Sequence, residues 1–81
     1  MHVLVHCCGV TGRLAGAGTL RLELPAQATV RDLFALLSQR SSELAQALAR
    51  CACARGDSIV PRGTALADGD ELALLPPVAG G

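Results

Sequence analysis

The chain has 81 residues, of which 51% are hydrophobic and 17% charged, and seven basic residues balance seven acidic ones. This length and composition fit one small globular domain rather than a disordered chain. The even charge and the single aromatic residue, Phe34, argue against nucleic-acid binding. No apolar run approaches the ~20 residues that span a bilayer, and the N-terminus lacks the basic start of a signal peptide. We therefore expect a cytoplasmic protein with no membrane partner.

Alternating apolar and polar residues predict two strands at the start of the chain. The first, from Met1 to Cys8, would carry valine and cysteine side chains on one face and histidine and leucine on the other. The second, from Thr19 to Leu24, alternates leucine with polar residues. Four glycines between them indicate a turn-rich connection, so we expect the two strands to form a hairpin or near-hairpin.

Two helices are predicted in the middle of the chain. Thr29 followed by Asp32 resembles a capping box, and apolar residues then recur at helical spacing, which predicts a helix from about Val30 to Gln39. The pair Ser41-Ser42 can begin a second, short helix with leucines on its apolar side.

The last third of the chain is predicted to be mostly extended. Residues 51–54 fit either a helix end or a short strand, and Ser58–Val60 fits a strand. Asp68-Gly69-Asp70 predicts a tight turn before a final strand, Glu71–Leu75, because glycine permits positive φ. The order predicts an α+β fold, a mixed sheet of four to five strands with one main helix on one face. We expect the first and last strands at the sheet centre, and a single domain over residues 1–81.

The chain ends in Pro76-Pro77-Val78-Ala79-Gly80-Gly81, directly after the predicted last strand. We interpret residues 76–81 as a flexible tail with the carboxylate of Gly81 as the working group. Glycine has no Cβ, so a narrow channel can close around the backbone, and residues 78–81 could reach on the order of 13 Å into a partner. Pro76 and Pro77 would stiffen the exit from the sheet by fixing φ.

The string from Leu66 to Gly81, LADGDELALLPPVAGG, resembles the C-terminus of the small subunit of molybdopterin synthase, a family of ubiquitin-like β-grasp sulfur carriers. The resemblance implies that Gly81 is adenylated and converted to a thiocarboxylate, which donates sulfur to a pterin precursor in molybdenum cofactor biosynthesis. It also implies a non-catalytic carrier. The tail, Val78, Ala79, Gly80 and Gly81, would enter the active site of a large subunit that supplies the catalytic side chains.

The same resemblance implies the partners. These are a large subunit in a heterotetramer, a ubiquitin-activating-type adenylyltransferase that uses ATP, and a sulfur donor protein, with no cofactor bound by this chain. The residues expected to dock on the large subunit are Leu4, Leu74, Leu75, Pro76 and Pro77. The chain departs from the family at Leu74-Leu75, where phenylalanines are usual, and at His6-Cys7-Cys8, where the first strand is usually rich in aromatics.

Three other functions stay open at this point. The tail also suits a sulfur carrier for thiamine, thio-tRNA or another thio-metabolite, and a ubiquitin-like modifier whose Gly81 forms isopeptides with lysines. A purely structural interaction domain would make no use of the terminus.

The histidines and cysteines do not form a recognisable site in the sequence. Cys7, Cys8, Cys51 and Cys53 lack the spacing of structural zinc ligands, so we predict reduced thiols and no metal site. His2 and His6 would share a strand face but lie far apart, which predicts surface residues. No spacing marks a catalytic triad.

Overall fold

A computed structural model of the chain describes residues 1–76, which form a five-stranded mixed sheet and three helices. The elements are β1 (His2–Cys7), α1 (Val10–Ala15), β2 (Thr19–Glu23), α2 (Val30–Ser38), α3 (Ser42–Leu48), β3 (Ala52–Arg55), β4 (Ser58–Val60) and β5 (Glu71–Leu75). Within residues 1–76, none of these helices has the length and apolar character needed to cross a bilayer. Apart from Pro76, the predicted tail at 76–81 lies outside the described residues.

The strand order is β2-β1-β5-β3-β4, so the first and last strands lie at the sheet centre, as predicted. β1 is antiparallel to β2 and parallel to β5, and β3 is antiparallel to both β4 and β5. The predicted antiparallel pairing of the first two strands and the α+β fold are therefore confirmed. The fold has the element order and sheet of a β-grasp.

The core lies between the helices and one face of the sheet. Along β1 the alternation is as predicted, with Val3, Val5 and Cys7 buried, Leu4 and His6 partly buried and His2 exposed. They pack with leucines of the other strands and with the apolar sides of α2 and α3 in one cluster. The opposite face of the sheet carries no helix from residues 1–76, and we call it the open face.

The start of α2 follows the predicted capping box. The Thr29 hydroxyl accepts a hydrogen bond from the Asp32 amide at 3.4 Å, and the Asp32 carboxylate accepts one from the Thr29 amide at 2.8 Å. These bonds satisfy two amides that a helix N-terminus leaves without partners. The helix ends at Ser38, one residue before the predicted end. Its buried residues are Val30, Leu33, Phe34 and Leu37.

The short helix α3 begins after Ser41, whose hydroxyl accepts a hydrogen bond from the Leu44 amide at 3.0 Å. Ala52–Arg55 then form β3, so of the two predicted possibilities for this segment, a helix end or a short strand, the structure has the strand. Arg62 holds this junction, since its guanidinium donates to the carbonyls of Leu48 and Cys51 at 3.2 and 3.1 Å. The same guanidinium lies 4.1 Å from the centre of the Phe34 ring, a cation–π contact.

The connection between β1 and β2 contains helix α1, which the glycine-rich sequence did not predict. Glycines lower helix propensity, but here each has a positional reason. Gly9 and Gly16 have positive φ on either side of the helix, and Gly16 is its left-handed C-cap. Gly12 lies so close to β1 that a Cβ there would be 3.1 Å from the Cys7 carbonyl oxygen.

Leu74 and Leu75 test the two faces of β5 directly. Leu74 is completely buried, whereas its neighbour Leu75 is only half-buried on the open face. We expect Leu74→Ala to lower the free energy of unfolding by about 2–5 kcal/mol, because it leaves a cavity in the core. Leu75→Ala should lower it by about 1 kcal/mol or less. Urea denaturation of both variants measures the difference, and equal losses would contradict the assignment of faces.

Candidate functional site at the end of the central strand

The turn before β5 is bonded to the start of β1. The Asp68 carboxylate accepts a hydrogen bond from the His2 amide at 2.8 Å, and the Gly69 amide donates to the His2 carbonyl at 2.8 Å. The Leu4 amide then donates to the Asp70 carbonyl at 2.9 Å. Gly69 has φ of 86°, the left-handed conformation that was predicted for it. These bonds fix where β5 begins relative to β1.

The side chain of Asp70 braces this turn from the other side. Its Oδ2 accepts hydrogen bonds from the Ala67 amide at 2.8 Å and from Arg55 Nη1 at 3.2 Å. The same Arg55 nitrogen lies 3.2 Å from the Ala65 carbonyl oxygen. The Asp70 side chain is only 18% exposed, so the ion pair is partly shielded from water. The Asp-Gly-Asp motif therefore has a structural role in holding the central strand.

The register that follows decides where the chain leaves the sheet. Leu4 pairs with Glu71 and Cys7 with Leu74, so β5 ends beside the carboxyl end of β1. Pro76, the next residue, is exposed. Because β1 and β5 are parallel, this exit lies at the opposite end of the sheet from Met1.

The open face carries a group of apolar residues, several of them close to this exit. The register aligns His6, Ala73, Ala54 and Ile59 across four strands, and Leu75 pairs with Ala52 in the direction of the exit. Ile59 is exposed, Ala54 is buried, and the other apolar residues of this face are partly buried. Apolar residues grouped on an uncovered face are typical of interaction sites. We call the members of this group the open-face patch: Leu4, Ala52, Ala54, Ile59, Ala73 and Leu75.

The structure places the predicted docking residues in three different environments. Leu4 and Leu75 are half-buried on the open face, and Pro76 is exposed directly after Leu75. Leu74 is wrong as a docking residue, because its side chain is 0% exposed in the core between the sheet and the helices. Pro77 and the tail residues 78–81 lie outside the described residues.

The rest of the patch was not predicted from the sequence. Ile59, at 68% exposure, is the large apolar side chain most exposed within residues 1–76. Its segment was predicted to be extended, but its face depends on the pairing of Ala54 with Ile59 and of Ala54 with Ala73. The alternation of cysteine and alanine in β3 is the one sequence signal that could have placed these alanines on a common face.

His6 lies at the border of the patch in a chain of polar contacts. Its Nε2 lies 3.1 Å from Glu71 Oε1, and its Nδ1 lies 3.3 Å from Thr19 Oγ1. Hydroxyl, imidazole and carboxylate in series also occur in hydrolytic sites, but those exclude water from the reacting groups. Here the side chains of His6 and Glu71 are 45% and 65% exposed. We interpret the contacts as a surface network that orients His6 beside the patch.

Three of the four cysteines are core residues. Burial raises the pKa of the thiols of Cys7, Cys51 and Cys53 above the ordinary value of 9.0, so these thiols stay protonated at neutral pH. Cys8 is exposed, and all four are free thiols. Among residues 1–76, no three side chains of His, Cys, Asp or Glu are grouped so that they could hold a metal ion.

Comparison with known proteins places this geometry in a family. A family model described as the ThiS family matches residues 9–81, which include β2 to β5 and the C-terminal string. The chain belongs to the ThiS family. It is a small ubiquitin-like sulfur carrier, the class that the resemblance in the C-terminal string had indicated.

Solved structures with the same fold match this chain over all or nearly all of its length. The small archaeal modifier protein SAMP1 of Haloferax volcanii has 28% identity and a TM-score of 0.83, and the match covers 100% of both chains. A Pyrococcus furiosus protein assigned as molybdopterin converting factor subunit 1 has 28% identity and a TM-score of 0.86, covering 96% of this chain and 99% of that one.

A third structure is a complex of subunits 1 and 2 of the molybdopterin-converting factor of Helicobacter pylori 26695. The similarity to a chain of this complex is 30% identity with a TM-score of 0.70, covering 100% of both chains. The similar proteins thus include both a subunit of a molybdopterin-converting factor and a small archaeal modifier protein. The fold is common to both, so similarity alone does not separate these functions.

Asp70→Ala tests whether the turn holds the central strand. We expect it to lower the free energy of unfolding by about 1–3 kcal/mol, because the Ala67 amide and the Arg55 guanidinium lose their shared acceptor. Asp57→Ala, in the exposed turn between β3 and β4, should change it little. Urea denaturation measures both, and an Asp70→Ala loss no larger than that of Asp57→Ala would contradict the assigned role.

Proposed function

We propose that this protein is the small, sulfur-carrying subunit of a molybdopterin synthase. The observation that carries the proposal is the position of β5: a fully anchored central strand ends beside an apolar open face and leads directly into the diglycine string. Similarity over the full chain to a subunit of the molybdopterin-converting factor complex supports it. On this proposal the fold delivers Gly81, and the reacting side chains belong to the partner.

The chemistry of the tail needs prior activation, because a carboxylate is a poor electrophile. The Gly81 carboxylate attacks the α-phosphorus of ATP on an activating enzyme and releases pyrophosphate. The terminal sulfur of a donor persulfide then attacks the acyl carbon and AMP leaves. A thiol cleaves the resulting acyl disulfide, which leaves the thiocarboxylate on Gly81. This chain holds no cofactor in the scheme, and ATP is consumed by the activating enzyme.

The open-face patch is the proposed docking surface for the large subunit. The alanines of β3 and β5 make its centre low and flat, while Leu4, Leu75 and Ile59 provide larger apolar side chains around it. Because the patch continues to the exit of β5, a partner seated on it would receive the tail residues Val78–Gly81. Because β5 is held in the sheet and the tail after it is short, the thiocarboxylate could reach only a small region of the bound partner.

A second candidate is a protein modifier, which the similarity to SAMP1 over the full length favours. In that function the activated Gly81 would form an amide with a lysine of another protein. Both candidates use the same activation, so the product formed at Gly81 distinguishes them.

The Gly81 terminus can be tested by mass spectrometry of the protein from its native host. We expect the wild-type chain to carry sulfur in place of one C-terminal oxygen, and pterin sulfuration to require it. Deletion of Gly81 should abolish both. Gly63→Ala is the matched control, because a Cβ at Gly63 would meet no atom within 4 Å.

Branched conjugates with lysines of other proteins, without the thiocarboxylate, would instead support the modifier. Pterin sulfuration that survives deletion of Gly81 would refute the carrier function.

Charge placed on the patch tests the docking surface. Leu75→Asp and Ile59→Asp should each weaken binding to the large subunit about tenfold or more, because a carboxylate would be desolvated in the interface. Ala35→Asp, on the exposed side of α2, is the control and should bind normally. Calorimetric titration measures binding, and circular dichroism checks that each variant is folded. Unchanged binding by both patch variants would reject the open face as the docking surface.

A further inference from the structure

All seven basic residues of the chain are arginines, at positions 13, 21, 31, 40, 50, 55 and 62. This matters for a protein whose C-terminus is activated, because primary amines convert activated acyl groups into stable amides. A guanidinium stays protonated at neutral pH and offers no free lone pair. Lysine, by contrast, has an ordinary pKa of about 10.4 and reacts through its small neutral fraction. Every cationic side chain here is therefore of the unreactive kind.

The remaining amine of this 81-residue chain is the α-amino group of Met1. It donates a hydrogen bond to the Leu24 carbonyl at 2.7 Å, and the Leu24 amide donates to the Met1 carbonyl at 2.8 Å. Met1 also packs against the core. Acylation of this amine would have to accommodate a bulky group where the end of β2 now lies.

The sheet topology keeps this amine away from the C-terminus. Cys7 pairs with Leu74, so Met1 lies six residues, or about 20 Å, behind that pair, and Leu75 adds about 3 Å more. The six residues after Leu75 span at most about 20–22 Å when fully extended. To reach Met1 the tail would have to reverse direction, and a reversal uses about four residues. The residues left after that turn are far too few to cover the distance back to the Met1 amine.

We propose that the activated C-terminus of this protein cannot be captured by an amine of the same molecule and is thereby reserved for acceptors on other molecules. This inference rests on the proposed activation of Gly81. The suppressed reaction is attack of an amine nitrogen on the acyl carbon: a C–N bond forms, the bond to AMP breaks with AMP leaving, and the amine loses a proton to water. In the modifier function, the same property prevents chains linked through side chains of this protein.

The test uses the full chain with a thioester at Gly81, prepared by self-cleavage of a C-terminal fusion. No activating enzyme is needed, so the result is independent of whether the host makes a thiocarboxylate. After incubation at neutral pH, excess thiol reverses any thioester formed with Cys8 but leaves amides intact. Intact-mass measurement should show the wild-type chain as thioester and hydrolysed acid, with no thiol-resistant product one water lighter.

Two Arg→Lys variants supply matched controls. Arg13 is exposed on α1, which follows β1 directly and packs Gly12 close to the Cys7 carbonyl. Because Cys7 pairs with Leu74, Arg13→Lys places an amine near the exit of β5. A tethered group has an effective concentration of about 1 mM, whereas the protein itself is present at about 10 µM. The amine introduced by Arg13→Lys should therefore react with the thioester of its own molecule about 100-fold faster than with that of a second molecule.

Arg31→Lys makes the same change at the far end of the molecule. Arg31 is exposed in the first turn of α2. The Val30 amide beside it donates a hydrogen bond to the Thr64 carbonyl, and the loop that contains Thr64 is bonded to His2 through the Gly69 amide. Arg31 therefore lies toward the His2 end of the sheet. This variant should behave like the wild type. A thiol-resistant cyclic product from the wild-type chain would overturn the proposal. So would an Arg13→Lys chain that forms no more amide than the wild type, or equal amide formation by both variants.

Discussion

Parallel pairing between β1 and β5 joins the two ends of the described chain, and most features of the molecule depend on it. Parallel neighbours cannot be joined by a tight turn, and between β1 and β5 the chain passes through three helices and three further strands before it returns. The turn at Asp68–Asp70 ends that path with three hydrogen bonds to His2 and Leu4. Asp70 and Arg55 secure the same turn from the side of β3. The strand that leads to the diglycine is thus among the most firmly held in the fold.

The pairing of β1 with β5 also means that the two faces of the sheet differ in their surroundings. One face is packed with leucine, valine and cysteine against the helices, and its buried thiols remain protonated because burial raises their pKa. The other face keeps small alanines at its centre, which leaves a low apolar surface that a partner could cover. Leu74 and Leu75 show the division most simply, since adjacent residues of one strand serve the core and the open face.

Direction is the third consequence of the parallel pair. The exit of β5 and the amino group of Met1 lie at opposite ends of the sheet, and the basic side chains are all guanidinium groups. A carrier with an activated terminus gains from both properties, since neither the fold nor the composition offers that terminus an internal amine. On the proposed function, the described part of the protein would hold the terminus in place, and the reactive chemistry would occur where that terminus meets another protein.

The sequence by itself determined every strand except β3, the capped helices α2 and α3, the Asp-Gly-Asp turn and the family, because periodicity, caps and turns are local and the C-terminal string is distinctive. Only the tertiary structure decided that Leu74 is core, that Ile59 and the alanines of β3 join Leu75 on one surface, and that glycines frame the helix α1. Which residues share a face depends on strand order and register. These are set by hydrogen bonds between segments more than sixty residues apart, such as His2 to Asp68, and no local pattern contains that information.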